Sequence, residues 1–405
     1  MRPAAHGVFG VLPCVVSRAG AARGVIERLA QYVAAGTVAE REGPDDMAAL
    51  ARMLPVPGDR SREAAAAGQA VLGAWKLLLR RGQNRTVQDS ESEALRRGGL
   101  PGSALERLAA LLASPPSLAA AREGCGVVQN LVFAPENVPA VAAAGVMDPL
   151  LRLVEGRDAA TAAAAAGAVQ GLVYLAEGRS SCRRARGEAA LCRVLAACLS
   201  GLGPGGEAGA EDDAVTEFLR RDGGAACLLA VRAAGALRNL SGDPLAAQGM
   251  RECGVLSSVR PLLRLPLAQA AASAAGLVQN LAREPRSREA LARQPAVMRA
   301  LVALVSGSEG GAAASAASAL MNLLAPAHPS AGAGAAAAGA VPAPDRAAVA
   351  RLLASLAAAG ASLPLFMASD AMGVGARLAG ERGSIVELYD DEGAPAAPGL
   401  QAGVT

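Results

Sequence analysis

The chain has 405 residues and a formal net charge of +3, and 52% of its residues are hydrophobic although only 2% are aromatic. This length exceeds one ordinary core and fits either two domains or one extended array. Arginine supplies nearly all of the positive charge, with Lys76 as the only lysine, and no basic stripe or set of base-stacking aromatics supports nucleic-acid binding.

The residues that usually carry catalysis or bind metals are poorly supplied. His6 and His328 are the only histidines, and the seven cysteines form no CxxC pair. We therefore predict no catalytic residues, no metal and no cofactor. The cysteines are expected to be reduced, buried, small hydrophobic residues, which favours a reducing compartment. We predict a cytoplasmic protein, with a nuclear or organellar location as the alternatives. No strongly apolar run of about eighteen residues predicts a membrane span.

In chain order, residues 1–36 are predicted to form a degenerate N-terminal repeat and residues 37–64 an insertion or linker. Residues 65–369 are predicted to form an array of helical repeats, interrupted by an acidic, glycine-rich loop at 199–224 and an Ala/Gly linker at 330–345. Residues 370–405 are predicted to be a mostly disordered tail because they are rich in glycine, proline and acidic residues.

The array is predicted from a short motif that recurs along the chain. The sequence GLVQNLAREP at 276–285 has relatives that include GVVQNLVFAP at 126–135 and GALRNLSGDP at 235–244. A leucine recurs in this motif, and we call the position just before it the Asn register. Its members are Asn130, Gly171, Asn239, Asn280 and Asn322. Three of the four intervals between them are 41 or 42 residues, and the fourth is lengthened by the loop at 199–224.

A second marker repeats with the same period. Segments such as GVMDPLLRLVEG, which begins at Gly145, and GVLSSVRPLLRL, which begins at Gly254, each follow the Asn register by fifteen residues. Their apolar residues recur every three or four positions, as on the buried face of a helix. Each unit is therefore predicted to contain a short first helix, an amphipathic second helix and a longer third helix that carries the Asn register.

This combination of period, helix count and asparagine position resembles the armadillo repeat. The resemblance covers roughly residues 7–363 and implies an all-α fold, a right-handed superhelical solenoid of about six to eight three-helix repeats with degenerate ends. It also implies a monomeric protein-interaction scaffold with a concave groove lined by the third helices.

In armadillo proteins, asparagines at this register hydrogen-bond the main chain of an extended peptide in the groove. The resemblance therefore implies that the Asn register and the residues just before it bind a partner. The predicted groove residues are Gln129, Asn130, Gln170, Arg238, Asn239, Gln279, Asn280 and Asn322. An equally open alternative is that each asparagine bonds the backbone of a neighbouring repeat and holds the array together.

One departure from the family pattern bears on the ligand. Importin-α has a tryptophan four residues before the asparagine, which packs against lysine stems of its cargo. Here that position holds Gly126, Gly167, Gly235, Gly276 and Ser318. Recognition of nuclear-import signals is therefore not expected, and the glycines are expected either to make the groove shallow or to let helices pack closely.

We predict a non-catalytic scaffold or adaptor that binds an extended or helical segment of another protein. Two alternatives come from the same resemblance. One is a small-GTPase regulator similar to the armadillo-type GDP-dissociation stimulators, and the other is a ubiquitin-ligase adaptor.

Overall fold

The computed structural model describes residues 54–81, 102–202, 210–307 and 311–324, and these residues fall into two compact units. Unit 1 contains the described residues up to Leu195 together with Gly235–Cys253. Unit 2 contains Ala196–Ala234 and the described residues from Gly254 onwards. Every regular element in the described ranges is helical. The predicted N-terminal repeat at 1–36, the linker at 330–345 and the tail at 370–405 lie outside these ranges.

The described part of unit 1 begins with a third helix, which is followed by the second and third helices of one repeat, one complete three-helix repeat, and the first helix and most of the second helix of the next. The helices in chain order are α1 (Arg62–Arg81), α2 (Gly102–Ala113), α3 (Leu118–Leu131), α4 (Val138–Ala143), α5 (Met147–Val154), α6 (Ala159–Leu172), α7 (Ala176–Arg184) and most of α8 (Gly187–Leu199). A short 3-10 turn, Pro135–Asn137, leads into α4. Third helices pack side by side here, α1 against α3 and α3 against α6.

Unit 2 has the same organisation. The helices that follow α8 in the chain are α9 (Ala210–Arg220), α10 (Ala225–Leu240), α11 (Pro244–Glu252), α12 (Leu256–Arg264), α13 (Ala268–Leu281), α14 (Pro285–Ala292), α15 (Pro295–Gly307) and α16 (Gly311–Leu324). The last residues of α10 and all of α11 belong to unit 1. The third helices α13 and α16 pack against each other, as do the second helices α12 and α15.

The predicted three-helix repeat is confirmed, and six third helices lie within the described residues: α1, α3, α6, α10, α13 and α16. The apolar stripe of the second helix is buried as its spacing predicts; Leu150, Leu151 and Val154 of α5 are each 5% exposed or less. The third helices are rich in alanine and glycine. In α6, which has few large side chains, neighbouring helices can approach closely, and most of its residues are buried. Small residues thus allow the close helix packing that the composition requires.

The segment at 199–224 differs from the expected loop, because it contains the eleven-residue helix α9. Asp213 lies in the first turn of α9, where a carboxylate complements the helix dipole, and Phe218 near the end of the helix is buried. Arg221 lies over the Phe218 ring, 5.5 Å from its centroid, and donates to the carbonyl of Cys198. The glycine richness of the segment concealed this amphipathic stretch.

Helix α6 begins at a well-formed N-cap. The Asp158 carboxylate accepts a hydrogen bond from the Thr161 backbone N–H over 2.8 Å and another from the Thr161 hydroxyl. The hydroxyl bond is the main reason why the pKa of Asp158 is lowered from its ordinary value. A carboxylate whose pKa is lowered on folding stabilises the protein above its unfolded pKa, and this contribution is lost as the pH falls through the folded pKa.

We therefore expect Asp158→Ala to lower the free energy of unfolding by about 1 kcal/mol at pH 7. The difference from the wild type should shrink as the pH falls below the usual aspartate range, because the wild-type carboxyl is then protonated. Urea unfolding followed by circular dichroism over a pH series measures both effects. Glu217→Ala, which removes an exposed carboxylate from α9, is the control and should show neither. A pH-independent difference would contradict the role of the ionised cap.

Five of the cysteines are buried, as expected of small hydrophobic residues; they are Cys125, Cys182, Cys192, Cys198 and Cys227. Burial raises the pKa of Cys182 and that of Cys192 to about 12, so neither thiol ionises near neutral pH. Cys253, at the end of α11, is exposed instead.

Candidate functional site

The Asn register occupies the same place in every third helix that carries it. Each member is half-buried and lies next to a leucine that is at most 3% exposed. These leucines are Leu131, Leu172, Leu240, Leu281 and Leu323. Because the leucine fixes the buried side of the helix, the preceding residue lies at the border between the core and the surface.

Three asparagines make the same hydrogen bond to the preceding third helix. In each case the side-chain Nδ2 donates to the backbone carbonyl of the residue just before the Asn register of that helix. The pairs are Asn130 with Lys76 (2.9 Å), Asn239 with Gln170 (3.1 Å) and Asn322 with Gln279 (2.8 Å). The register is therefore continued into α1, where Leu77 stands at the asparagine position.

The accepting carbonyls explain why an amide is useful here. The last four carbonyls of a helix have no partner within it. At the end of α6, the backbone N–H of Val173 bonds to Val169 and that of Tyr174 bonds to Gly171, so both bypass the carbonyl of Gln170. The Asn239 amide supplies a partner to that carbonyl. Asn239 thus caps the third helix of the repeat before it, whereas the Lys76 carbonyl that accepts from Asn130 lies inside α1, before its last turn.

The structure divides the predicted groove residues between the two units. Unit 1 holds Gln129, Asn130, Gln170, Arg238 and Asn239, and unit 2 holds Gln279, Asn280 and Asn322. All eight are half-buried, which leaves part of each side chain accessible.

Two of the glycines four residues before the register, Gly126 and Gly235, are covered by side chains of the preceding third helix. A Cβ atom added at Gly126 would lie 2.6 Å from Cδ of Lys76, and one added at Gly235 would meet the side-chain amide of Gln170. In both cases the residue before the Asn register contacts the following repeat twice. Its backbone carbonyl accepts the hydrogen bond of the asparagine in that repeat, and its side chain covers the glycine four residues before that asparagine. This arrangement supports close packing as the reason for the glycines.

Lys76 is a residue of this site that sequence reasoning did not select. Its stem crosses Gly126, and its Nζ lies 2.7 Å from Oε2 of Glu123, one turn earlier on α3. The signal that could have found it is its place just before the asparagine position, which Gln129, Gln170 and Gln279 occupy in other repeats. The only lysine of the chain is thus held between two repeats.

Gly171 interrupts the row of asparagines in unit 1. A Cβ atom at Gly171 would lie 2.6 Å from Cγ2 of Val132, the C-cap residue of α3. The Val132 side chain therefore occupies the space into which a side chain at Gly171 would extend.

The described residues offer no arrangement with evident catalytic chemistry. Groups of three or more His, Cys, Asp or Glu side chains that could hold a metal ion do not occur among them. No single described helix is long and apolar enough to cross a membrane, although Pro135–Ala143 and Met147–Val154, bent by 90°, meet that test as a pair.

Comparison with known proteins identifies the fold. No protein-family model matches the chain, and no curated protein matches it either. Among solved structures, an engineered protein from the Northeast Structural Genomics Consortium matches with a TM-score of 0.52 and 17% identity, over 69% of this chain and 98% of that one. A second engineered protein from the same source matches with a TM-score of 0.51 and 18% identity, over 69% and 96%.

A designed armadillo repeat protein matches with a TM-score of 0.50 and 19% identity, over 70% of this chain and the whole of that one. Together with the three-helix repeats and the Asn register, this similarity shows that the chain has an armadillo-like repeat fold. The class predicted from the sequence is confirmed.

Proposed function

We propose that this protein is a non-catalytic interaction scaffold whose third helices bind an extended segment of a partner protein. The observation that carries the proposal is the hydrogen bond that Asn130, Asn239 and Asn322 each donate to the preceding third helix. The amide of asparagine has two N–H donors and a carbonyl acceptor, and the bond to the preceding helix uses only one donor. Each side chain keeps a donor and an acceptor with which to meet the N–H and C=O of a partner's backbone.

The two roles considered for the asparagines are therefore compatible. The hydrogen bond to the preceding repeat holds the side chain in one conformation, so that little rotamer freedom remains to be lost when a partner binds. Ordering a free side chain at an interface costs about 0.5–1.5 kcal/mol. The contact between repeats thus prepares the amide for binding.

The experiment must separate binding from stability, because the same amide serves both. The full-length protein is used to select binders from a random dodecapeptide phage library, and the affinities of the synthetic peptides are measured by calorimetry. Asn130→Ala combined with Asn239→Ala is compared with Val128→Ala, a buried substitution in α3 that lowers stability without altering the Asn register.

We expect the double variant to lose about tenfold in affinity or more, since each lost backbone hydrogen bond contributes about 0.5–1.5 kcal/mol. Val128→Ala should bind like the wild type at a temperature where all three proteins are folded by circular dichroism. Equal affinities of the wild type and the double variant would refute binding through the asparagines.

The GTPase-regulator and ubiquitin-adaptor alternatives remain predictions from the family resemblance. The first is tested by measuring nucleotide release from a panel of small GTPases with the full-length protein. Faster release from one member would assign the partner class.

A further inference from the structure

A polar cavity of about 300 Å³ lies in unit 1 and shares no lining residue with the Asn register. It lies where the first helices of two successive repeats, α4 and α7, pack together beside the start of α5. Pockets that bind small molecules measure about 300–1,000 Å³. Because the cavity is at the lower end of this range, it fits a ligand much smaller than a peptide.

One part of the cavity is suited to an anionic group. Arg184, at the end of α7, is exposed and has no ion-pair partner within the described ranges, whereas its neighbour Arg183 pairs with Asp243. Met147 and Asp148 begin α5, and no side chain caps this N-terminus. The first N–H groups of a helix have no partner within it. A guanidinium and the positive end of a helix both favour a negatively charged ligand group.

Ser181 gives independent evidence for a polar ligand. It lines the cavity and is only 8% exposed, yet its hydroxyl makes no hydrogen bond to any described residue. A serine near a helix end can bond a carbonyl one turn earlier, as Ser200 does with Ala197. Since leaving a buried hydroxyl without a partner costs free energy, an oxygen atom of a ligand in the cavity would provide the missing partner.

The cavity also contains features that favour a cation. Asp148 lines it and has no ion-pair partner in the described part of the chain, so its carboxylate would repel a simple anion. The C-terminal ends of α4 and α7 line it as well, and such ends carry partial negative charge. Asp148 and Arg184 form no ion pair with each other, so both remain available. A ligand that satisfies them carries both signs of charge.

We propose that this cavity binds a free α-amino acid. Its carboxylate is held by the Arg184 guanidinium and the Ser181 hydroxyl, and its ammonium group by the Asp148 carboxylate. An α-amino acid carries both charges on one carbon atom, so a single small molecule meets groups of both signs. Small apolar residues such as Ala142 and Ala185 line the remaining space, which favours an uncharged side chain. This inference does not depend on the proposed function.

The test measures binding of the twenty L-amino acids to the full-length protein by saturation-transfer difference NMR, with calorimetry for those that bind. Arg184→Ala and Asp148→Asn should each weaken binding of the best amino acid by roughly tenfold or more, because each removes a charge-assisted hydrogen bond. Arg152→Ala on α5 and Glu177→Gln on α7 change exposed residues outside the cavity and should bind like the wild type. Circular dichroism checks that all four variants are folded.

Ser181→Ala separates binding from folding. Because the hydroxyl bonds no described residue, its removal should leave the midpoint of urea unfolding close to that of the wild type. Binding of the amino acid should weaken by roughly 2- to 10-fold, the effect of one hydrogen bond. A variant that is less stable but binds the amino acid normally would contradict the role given to this hydroxyl.

Derivatives of the best amino acid test its two charges separately. The N-acetyl derivative lacks the ammonium group and the amide lacks the carboxylate, so both should bind roughly tenfold more weakly or worse. Equal binding of the N-acetyl derivative or of acetate would indicate a simple anion site and overturn the proposal. So would the absence of saturation transfer from every amino acid at millimolar concentration, or binding that Arg184→Ala and Asp148→Asn leave unchanged. None of these outcomes affects the peptide selection that tests the proposed function.

Discussion

Gly178→Ala should lower the free energy of unfolding by about 3 kcal/mol or more, beyond the usual range for overpacking. Gly178 lies in the first turn of α7, where a Cβ atom would overlap the carbonyl group of Leu172 and lie 3.1 Å from the backbone nitrogen of Val173. The obstacle is the backbone at the end of α6 and cannot rotate away as a side chain can. Chemical unfolding followed by circular dichroism measures the loss.

The control is a glycine with space around it in another helix. Gly73 lies inside α1, and the nearest atoms to an added Cβ belong to the Glu123 carboxylate, 3.9 Å away. Gly73→Ala should stabilise the protein by about 0.5–1 kcal/mol, because alanine has the higher helix propensity. If Gly178→Ala were as stable as the wild type, the two helices would not approach as closely as described.

Trp75→Ala should lower the free energy of unfolding by about 3–5 kcal/mol, the usual range for removing a large buried aromatic side chain. Trp75 is the only tryptophan of the chain and is fully buried in α1 together with Leu72. Circular dichroism is the appropriate signal, because the variant loses tryptophan fluorescence.

Trp75→Phe is the informative comparison. The indole Nε1–H of Trp75 is buried and has no hydrogen-bond acceptor within the described part of the chain. Leaving a buried donor unsatisfied costs about 1–3 kcal/mol, so phenylalanine relieves this cost while it loses some volume. We expect Trp75→Phe to lower the free energy of unfolding by much less than Trp75→Ala does. Equal losses for both variants would contradict this account of the indole.

The fold could be predicted from the sequence because its information is repeated. Successive members of the Asn register are 41 or 42 residues apart except where the segment at 199–224 intervenes, and each repetition makes the same local choice of helix, border residue and buried leucine. Helix α9 was not predicted because its sequence pattern occurs only once in the chain and is flanked by glycines. A single amphipathic turn around Phe218 carries less signal than a pattern found in several copies.

The site could be predicted only in outline. The register of the asparagines was visible, but the identity of each acceptor depends on how far one helix is shifted along its neighbour, which no local pattern encodes. The same is true of Lys76 crossing Gly126 and of Val132 filling the place beside Gly171. Such contacts join residues about 40 or more positions apart and follow from packing, so that propensity and periodicity do not reveal them.

The hydrogen bonds between third helices give the array a direction. Asn239 and Asn322 each donate to a carbonyl near the end of the preceding third helix, Gln170 and Gln279 respectively, and Asn130 donates to Lys76 inside α1. In each of these bonds the later repeat donates and the earlier repeat accepts. Substituting Asn322 therefore removes a hydrogen-bond partner from the repeat that precedes it, so that the change acts on a residue 43 positions away in the sequence.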